Sequence, residues 1–416
     1  MWSDQRIAKG ILIAIMLQVL SLDEARAKLM IYAKKREPNA QEATVSGALG
    51  RVLAADLVAN ADLPAFCRSA VDGFAVHAAD TFGASAAMPA LLRLAGEVKM
   101  GERAMFSLQS SDCAVVWTGG ELPSGADAMV MLEDAQTLPG GMIAVESPSA
   151  PGRHVVFRGD DIKQGDPLLT AGTRIGSREI GLLAATGMSQ VSVYTRPRVH
   201  ILSTGDELVD PSETPNDGQI RDCNGDMLTA ACIEAGAEAR FFGRVADDED
   251  ALLDAMRTAL TNCDLLLLSG GSSAGAKDAA ERCIAKLGTL LFHGLALKPG
   301  KPTLAGEVGG KPVICLPGHP AAAYLVFHAL VRPLIAALSG THLQDRTLPA
   351  RMAQAIPSNH GREELLLVRL TEDGIAEPVA AKSGLVLPLT RADGYVVIPR
   401  EAEGLGENAL VRVVMF

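Results

Sequence analysis

The sequence lacks the features that mark several common classes of protein. Only 4% of its residues are aromatic, which is too few to build stacking platforms for single-stranded nucleic acid. Lys and Arg number 38 against 49 for Asp and Glu, so the net charge is −11, whereas a DNA-binding protein normally has a basic surplus. We therefore expect no nucleic-acid partner. If the substrate is an anion, a local cluster of positive groups or a bound cation must bind it.

Cysteine pairs and long apolar runs are also missing. None of the seven cysteines belongs to a Cys-x-x-Cys pair or to a zinc-ligand pattern, which favours reduced thiols packed as small apolar groups. The apolar stretch from Ile11 to Leu20 is about half the length that spans a bilayer, and no signal-peptide cleavage site follows it. These observations predict a cytoplasmic protein without a membrane partner, whose working chain begins at Met1 or Met16.

Several enzyme motifs are absent as well. The chain contains no Gly-x-x-x-x-Gly-Lys-Ser/Thr of a P-loop NTPase, and its glycine spacing does not match Gly-x-Gly-x-x-Gly. Its eight histidines are dispersed, and none lies in a nucleophile-elbow context. A Ser-His-Asp hydrolase therefore finds no support.

What the sequence does contain is an alternation of strand-like and helix-like apolar runs over residues 197–340. This pattern predicts a doubly wound, largely parallel sheet, so the expected fold class is multidomain α/β. Short runs between Gly and Pro turns predict a β-rich module from Leu63 to about Ser149 and a small β-barrel from Leu348 to Phe416. Ser21 and Glu24 have the capping-box spacing of a helix start. The elements predicted within residues 197–340 are Val199–Leu202, Met227–Ala235, Ala239–Val245, Asp250–Leu260, Leu265–Leu268, Ala279–Leu287, Val313–Leu316 and Ala321–Leu338.

Three of the predicted strands end in loops rich in Gly, Ser or Pro. Ligands bind at such strand ends in open α/β sheets, where bare backbone N–H groups and the start of the next helix suit a phosphate or another tetrahedral oxyanion. A simple reversal of the chain explains any one of these loops equally well. The candidate substrate-binding residues are Ser203, Thr204, Gly205, Ser269, Gly270, Gly271, Pro317, Gly318 and His319.

Charged residues follow the same strand ends. The segment Lys298–Pro302 presents two ammonium groups on a backbone that two prolines restrict, although a solvated turn would have the same sequence. Glu207, Asp247 and Asp278 closely follow predicted strands. Three acids beside an anion site indicate a divalent cation, and Mg²⁺ prefers such oxygen ligands. Asp247 could instead be the N-cap of the next helix.

Eight motifs occur in a fixed order along the chain. They are Val71-Asp72-Gly73-Phe74-Ala75, Thr118-Gly119-Gly120-Glu121-Leu122-Pro123, Arg158-Gly159-Asp160-Asp161-Ile162, Ser203-Thr204-Gly205-Asp206-Glu207-Leu208, Asp222-Cys223-Asn224, Ser269-Gly270-Gly271, Lys298-Pro299-Gly300-Lys301-Pro302 and Leu316-Pro317-Gly318. The ordered set resembles the molybdopterin molybdenumtransferases, the family of MoeA and the E domain of gephyrin. The resemblance covers residues 16–416.

The resemblance implies four domains, a homodimer and a site between the α/β domain of one subunit and the β-rich domain of the other. The domains would be a helical linker over 16–60 and 153–196, a β-rich domain over 61–152, a molybdopterin-adenylyltransferase-like α/β domain over 197–344 and a β-barrel over 345–416. Members of the family insert molybdate into adenylylated molybdopterin with Mg²⁺ and release AMP. The chain would thus be a transferase of molybdenum cofactor biosynthesis, in transient contact with a molybdopterin adenylyltransferase.

The resemblance also assigns roles position by position. The catalytic residues would be Asp72, Thr118, Asp278, Lys298 and Lys301. Glu207, Asp247 and Asp278 would hold Mg²⁺ or orient the adenylate phosphate, while the two lysines would neutralise molybdate and the phosphate. Asp161 and Ser383 match family positions that bind substrate.

Several positions depart from the family pattern. Val156 stands where Arg is frequent, Ala274 where Val is usual, Gly294 where Lys sometimes occurs and His319 where Asn is usual. Arg158 is close enough in sequence to replace the missing Arg. The lost donors and charges motivate a second hypothesis, a weakened paralogue that binds molybdopterin or a partner protein without turnover. A third hypothesis is an adenylyltransferase, which the additional domains disfavour.

Overall fold

A computed structural model describes residues 19–36, 38–270, 274–358, 361–380 and 382–416, with the backbone alone for 274–278. The apolar residues 11–18 and both candidate starts, Met1 and Met16, lie outside the described residues. The chain forms, in order, a helix with short strands, a β-rich module, an α/β sheet with its helices, and a β-barrel.

The first helix begins where the sequence predicts it. In α1 (Leu22–Lys35) the Ser21 hydroxyl accepts from the Glu24 N–H at 3.3 Å, and the Glu24 carboxylate accepts from the Ser21 N–H at 2.8 Å. This reciprocal pair satisfies two amide donors that a helix start leaves open. Leu29 of α1 is fully buried in the core of the α/β part, so the helix packs against that core.

Two short strands follow α1, namely β1 (Ala40–Thr44) and β2 (Leu57–Val58). The strands of the β-rich module come next, and they are β3 (Arg68–Ser69), β4 (Gly73–Val76), β5 (Ala90–Val98), β6 (Asp112–Val116), β7 (Ala128–Met131), β8 (Ala135–Leu138), β9 (Met142–Val145) and β10 (Val155–Val156). Six of them form one sheet in the order β7-β4-β6-β5-β9-β8, and β10 pairs with β3. Phe74, Leu92 and Ile143 form part of its buried core, which confirms the predicted β-rich module.

After the module the chain returns to the first strands. The elements of this return are β11 (Pro167–Leu169), α2 (Ser177–Ala185) and β12 (Gln190–Tyr194). β12 pairs antiparallel with β1, and β11 pairs with β2. The segments on either side of the module are therefore joined to each other through these strand pairs.

Among the described residues, the α/β part contains nine strands and five α-helices. The strands are β13 (Arg198–Thr204), β14 (Leu208–Val209), β15 (Ile220–Arg221), β16 (Glu238–Val245), β17 (Leu265–Gly270), β18 (Thr289–His293), β19 (Leu297–Lys298), β20 (Leu304–Val308) and β21 (Lys311–Leu316). The helices are α3 (Asn224–Glu234), α4 (Glu249–Leu260), α5 (Ala274–Leu287), α6 (Pro320–Val326) and α7 (Arg332–Leu338). The main sheet has the order β16-β13-β17-β21-β20-β18.

The central strands of this sheet are parallel and buried on both faces. β16, β13, β17 and β21 run parallel, while β20 and β18 are antiparallel additions at one edge. Leu265 and Leu267 face a core shared with α1, α3 and α7, whereas Leu266 and Leu268 face a core shared with α4 and α5. Continuous apolar strands are typical of sheets that helices cover on both sides. The predicted doubly wound fold is confirmed.

The predicted helix Ala321–Leu338 is interrupted. Residues Phe327–Val331 form a π-helical turn between α6 and α7. Pro333 has no backbone N–H and cannot satisfy the carbonyl four residues earlier. The Arg26 guanidinium of α1 donates to that Ala329 carbonyl instead, at 2.8 Å. The predicted helix Ala321–Leu338 is thus present as one helical stretch that contains a π-helical turn, where this proline removes an α-helical hydrogen bond.

The chain ends in a closed barrel. Its elements are β22 (Thr347–Met352), β23 (Ile356–Pro357), β24 (Glu363–Leu370), β25 (Ile375–Pro378), α8 (Leu387–Arg391), β26 (Gly394–Ile398), β27 (Gly404–Leu405) and β28 (Leu410–Met415). The ring runs β24-β25-β22-β28-β26 and closes through the pairing of β26 with β24. β19 of the α/β part pairs with β24 in parallel, so the barrel and the α/β part share a strand pairing.

One described helical stretch, Pro320–Leu338, is long and apolar enough to cross a membrane by length and composition. Most of this stretch is buried inside the protein. Its apolar side chains, which include Val326, Phe327 and Leu334, contribute to the core of the α/β part. The stretch therefore has the burial of a core helix.

Candidate functional site

The carboxyl ends of the four parallel strands lie side by side. Thr204 at the end of β13 is in register with Val245 of β16 and Gly270 of β17, and Ser269 of β17 is in register with Leu316 of β21. The loops that follow these strands consequently leave one edge of the sheet together, as predicted. We call this edge with its loops the carboxyl edge.

Asn224 links the end of β17 to the loop after β21. Its side-chain Nδ2 donates to Ser269 Oγ at 2.9 Å and to the Gly318 carbonyl at 2.7 Å. Asp222 fixes the start of α3, because its Oδ1 accepts from the backbone N–H groups of Asn224 (3.0 Å) and Gly225 (3.1 Å). Asn224 and Asp222 are both buried. The end of β17 and the loop after β21 are thus held in a fixed relation by one amide.

The acids after β13 and β16 lie on neighbouring loops. Thr204 Oγ1 donates to Asp247 Oδ1 at 2.8 Å, and the Asp247 N–H donates to Asp206 Oδ1 at 3.0 Å. A Cβ atom on Gly205 would lie 2.7 Å from Glu207 Oε2, so only glycine lets this carboxylate lie over the loop. Asp247 is not a helix cap, because Asp248 caps α4 through its contact with the Ala251 N–H. The alternative role considered for Asp247 was wrong.

These oxygen atoms fit a hard cation in their chemistry. Mg²⁺ is commonly held by one or two carboxylates, several waters and the phosphates of the substrate, and Glu207 and Asp247 offer two exposed carboxylates. Across the described ranges, no group of three or more His, Cys, Asp or Glu side chains is placed to hold a metal ion. The third predicted ligand, Asp278, has its side chain outside the described residues, and so does Gly271 as a whole.

A cavity of about 670 Å³ lies between the α/β part and the barrel. Its floor is the segment Lys298–Pro302 and the start of α6, and its far wall is formed by β24 and the residues after β25. We call it the lysine cavity. Six residues that the sequence singles out line it, namely Lys298, Lys301, Pro317, Gly318, His319 and Ser383.

The two lysines of this cavity differ in their partners. Lys298 Nζ pairs with Glu364 Oε1 at 2.9 Å, and the Glu364 side chain is only 13% exposed. Ser358 Oγ donates to the other oxygen of Glu364. Lys301 is exposed, and its ammonium has no ion-pair partner within the part of the chain that the structure describes. Lys298 is therefore fixed in direction, whereas Lys301 is available to an anion.

His319 joins α6 to the segment after β25. His319 Nδ1 and Ser383 Oγ are 2.8 Å apart, with the donor decided by the tautomer of the ring, and the Ala321 N–H donates to the Ser383 carbonyl at 3.1 Å. The usual Asn of the family pattern is thus replaced by a side chain that still makes a polar contact at the cavity. Ser383 is held at this wall by two hydrogen bonds.

Asp72 and Thr118 contact each other in the β-rich module. Asp72 Oδ1 accepts from both the backbone N–H and the Oγ1 of Thr118, each at 2.7 Å. These two hydrogen bonds hold the pKa of Asp72 below its usual value. Both residues are exposed. Of the described residues that line the lysine cavity, none belongs to the β-rich module, so one chain does not bring this pair to the lysines.

The turn with Asp161 lies beside the same module. Its Asp161 N–H donates to the Leu63 carbonyl at 3.1 Å, and its carboxylate is exposed. Arg158 pairs with Asp62 at 2.6 Å, so it is not free to replace the arginine that Val156 lacks. Gly294 has a φ of +106°, a conformation that favours glycine over lysine. Ala274 has no described side chain.

Sequence reasoning missed several residues of these walls. Asn224 was part of a quoted motif, yet its link between two loops depends on where the chain places them. Gln354, Arg362 and Glu364 reach the lysine cavity from the barrel. They lie about sixty residues beyond Lys298, and no local pattern marks a residue whose role comes from tertiary packing.

Three family models match the chain. They are the MoeA N-terminal region (domain I and II) over residues 20–187, the probable molybdopterin binding domain over 200–337 and the MoeA C-terminal region (domain IV) over 349–416. Together they extend over all four groups of elements described above.

Relatives and solved structures agree with these models. Molybdopterin molybdenumtransferase 1 of Mycobacterium tuberculosis is 32% identical over 424 residues, covering 94% of this chain and 98% of the relative. Molybdopterin molybdenumtransferase of Bacillus subtilis is 31% identical over 409 residues, covering 95% and 94%. The crystal structure of a molybdopterin biosynthesis MoeA protein from Pyrococcus horikoshii superposes with a TM-score of 0.85 at 31% identity, covering 96% of this chain and 100% of that one.

Proposed function

The chain belongs to the MoeA family of molybdopterin molybdenumtransferases, and from this we propose that it inserts molybdate into adenylylated molybdopterin and releases AMP. The chain is accordingly a transferase of molybdenum cofactor biosynthesis. Relatives that match over more than nine-tenths of the chain carry the transferase name. These names favour turnover over a paralogue that only binds molybdopterin or a partner protein.

The lysine cavity is the observation that carries the proposal. In a chain with a net charge of −11, it gathers Lys298, Lys301 and Arg362 around one space, with the Ser383 hydroxyl at its wall. Molybdate is a tetrahedral dianion, and ammonium, guanidinium and hydroxyl donors are the groups that bind such oxyanions. Lys301 would attract the anion, while Lys298, oriented by Glu364, would donate in a fixed direction.

The carboxyl edge supplies the place for the adenylylated pterin. The end of β17 and the loop after β21, which leads into α6, would provide backbone N–H groups for phosphate oxygens. Ser269, Gly270, Pro317 and Gly318 would line this part, and Asn224 holds the end of β17 to the loop after β21. Fixed positions for both anions would lower the barrier by orientation and by stabilising the charge that develops at the phosphate.

The metal proposal concerns the acid loops. Glu207 and Asp247, with Asp278, would hold Mg²⁺, which when bound neutralises phosphate charge. Thr204 orients Asp247 by its 2.8 Å hydrogen bond. In this role Gly205 lets the Glu207 carboxylate lie over the loop, while Ser203 lies buried inside β13 just before it.

We also propose the homodimer that the resemblance implies. Asp72 and Thr118 form an ordered, exposed pair, and in a dimer this pair and Asp161 would complete the site of the neighbouring subunit. The domain boundaries after residues 60, 152, 196 and 344 belong to the same proposal. So do a cytoplasmic location and a transient contact with a molybdopterin adenylyltransferase that delivers the substrate.

The experiment measures AMP. Purified protein is mixed with adenylylated molybdopterin, molybdate and Mg²⁺, and AMP is quantified against mixtures that lack molybdate or contain EDTA. We expect AMP release that needs both molybdate and the metal. An absence of AMP in the complete mixture, with the substrate shown to be bound, would contradict the proposal and favour binding without turnover.

A further inference from the structure

A second cavity lies at the opposite, amino edge of the same sheet. It has a volume of about 740 Å³ and lies where β13 and β16 begin and the strands β1 and β12 meet the α/β part. We call it the arginine cleft. Its charged lining residues are Arg36, Arg51, Arg196, Arg198, Glu238 and Asp264.

The arginine cleft is electropositive within an acidic protein. Four guanidinium groups face two carboxylates, which leaves two uncompensated positive charges in a chain whose net charge is −11. Asp264 forms ion pairs with two of the arginines, because its Oδ2 lies 3.3 Å from Arg36 Nη2 and 3.6 Å from Arg198 Nε. The excess of positive charge therefore falls on the remaining two arginines.

Arg51 is held in place by neutral groups alone. Its Nη2 donates to the Tyr194 carbonyl at 2.8 Å, and the Gln41 amide, with its oxygen turned to the guanidinium, accepts from both terminal nitrogens at 3.2 and 2.8 Å. Its Nε is buried and has no hydrogen-bond partner among the residues described. Burial lowers the pKa of Arg51, and the charge of nearby Arg196 lowers it further. Arg51 is thus a rigid cation whose charge is not paired with a carboxylate of the described residues.

Arg196 is exposed, and within the described ranges its guanidinium has neither an ion-pair nor a hydrogen-bond partner. It stands close enough to Arg51 for their like charges to repel. Two adjacent guanidinium groups without a carboxylate between them are unfavourable unless an anion joins them. Arg196 offers its planar fork of N–H donors to phosphate oxygens, while Arg51, whose terminal nitrogens already donate to Tyr194 and Gln41, contributes mainly its positive charge.

We propose that the arginine cleft binds the phosphomonoester dianion of a small molecule between Arg51 and Arg196. The volume suits a ligand of nucleotide size, and cavities at the junction of two parts of a fold are common ligand sites. Glu238 at the rim repels a long polyanion and can accept from a hydroxyl or amino group of the ligand. Inorganic phosphate and phosphorylated metabolites both carry the phosphate oxygens that these arginines would bind. The experiment below distinguishes between the two kinds of ligand.

The arginine cleft is separate from the lysine cavity. β13 begins at Arg198 in the cleft and ends at Thr204 on the carboxyl edge, and its seven residues span about 20 Å at the usual rise per residue. The proposal therefore adds a second anion site and does not depend on the transferase activity. A ligand there contacts the strand that carries Thr204 to the carboxyl edge.

The test measures binding by calorimetry in a Lys298→Gln/Lys301→Gln background, which weakens anion binding in the lysine cavity. The probes are inorganic phosphate, AMP and succinate. We expect the cleft to bind AMP or phosphate more tightly than succinate, and Arg196→Gln should weaken this binding about tenfold or more without changing any AMP binding at the carboxyl edge. Tighter binding of AMP identifies a phosphorylated organic ligand, and equal binding identifies phosphate itself.

The matched control is Arg178→Gln, which removes one exposed positive charge from α2 and is not among the described residues that line the cleft. Equal binding by Arg196→Gln and Arg178→Gln in that background would overturn the proposal. A change of sedimentation mass in Arg196→Gln without any change in phosphate binding would also overturn it, because the cleft would then be covered by a second copy. Binding of polyglutamate in preference to AMP would assign the cleft to an acidic protein segment and overturn it too.

Discussion

The two edges of one parallel sheet carry positive charge in different ways. At the carboxyl edge the lysine cavity adjoins loops whose polar groups contact one another, through Asn224 to Ser269 and Gly318 and through His319 to Ser383. At the amino edge three of the arginines are anchored to backbone carbonyls, one amide and one aspartate, while Arg196 has no side-chain partner among the described residues. The carboxyl edge thus has a connected network, while the amino edge has separate anchors.

This difference has a chemical consequence. The carboxyl edge combines cations, free backbone N–H groups and exposed carboxylates, so it can hold two anions and a metal ion in fixed relation. The amino edge offers cations and no loop of this kind, because the N-terminal ends of parallel strands are followed by buried strand backbone. We expect turnover at the first edge and binding alone at the second.

The largest effect expected is at Lys301. Lys301→Gln removes the unpaired ammonium of the lysine cavity, and we expect AMP release to fall about 100-fold, the order of magnitude for loss of one preorganised electrostatic donor. The control is Lys34→Gln, which removes an exposed lysine from the last turn of α1. Equal rates for the two variants would show that the cavity is not the site of turnover.

Asn224→Ala tests the network of the carboxyl edge. The change leaves Ser269 Oγ and the Gly318 carbonyl without their shared donor, so we expect a loss of about 1–3 kcal/mol in the free energy of unfolding. AMP release should fall about tenfold, since two loops lose their fixed relation. Thermal unfolding and the AMP assay measure both effects, with Asn216→Ala in an exposed loop as control. A fall in stability with full activity would mean that the loops need no such link.

Glu364→Gln sharpens the distinction between the two lysines. Loss of the carboxylate raises the positive charge of the cavity and releases Lys298 from its fixed direction. We expect the KM for molybdate to fall by a factor of about three and kcat to fall by a similar factor. The control is Glu377→Gln, which breaks an exposed ion pair with Arg369 on the same barrel. A rise in the KM would show that Glu364 acts only by holding the cavity together.

The smallest effect is expected at Thr118. Thr118→Val removes the hydroxyl hydrogen bond that helps to keep the pKa of Asp72 low, so this pKa rises. Asp72 then takes up its proton at a higher pH, and the acid limb of the rate profile should move to higher pH with little change at pH 7. Thr118→Ser should restore the wild-type profile. An unshifted acid limb in the valine variant would show that the ionisation of Asp72 plays no part in the reaction.

Much of the carboxyl edge could be predicted because its signals are local. The strand Leu265–Leu268 is a continuous apolar run, and Gly and Ser follow it directly, so both the sheet and its loops are visible in the sequence. The capping box of Ser21 and Glu24 is likewise a short-range pattern. The parallel order of the strands then brings separate loops to one edge without further information.

The rest depends on contacts between distant segments. Glu364 meets Lys298 only because β24 of the barrel pairs with β19, and the arginine cleft combines residues from α1, from the linker strands and from the starts of β13 and β16. The π-helical turn after Val326 is accompanied by a contact from Arg26, which supplies the donor that Pro333 lacks. Periodicity and motif spacing describe neighbours in sequence and cannot locate such partners.

The most direct test of the account is to locate molybdate itself. Crystals of the wild-type protein soaked in molybdate and measured at the molybdenum absorption edge should show an anomalous peak in the lysine cavity, within hydrogen-bond distance of Lys301 Nζ and Ser383 Oγ. A peak found only at the amino edge, among the arginines, would contradict the assignment of the two edges.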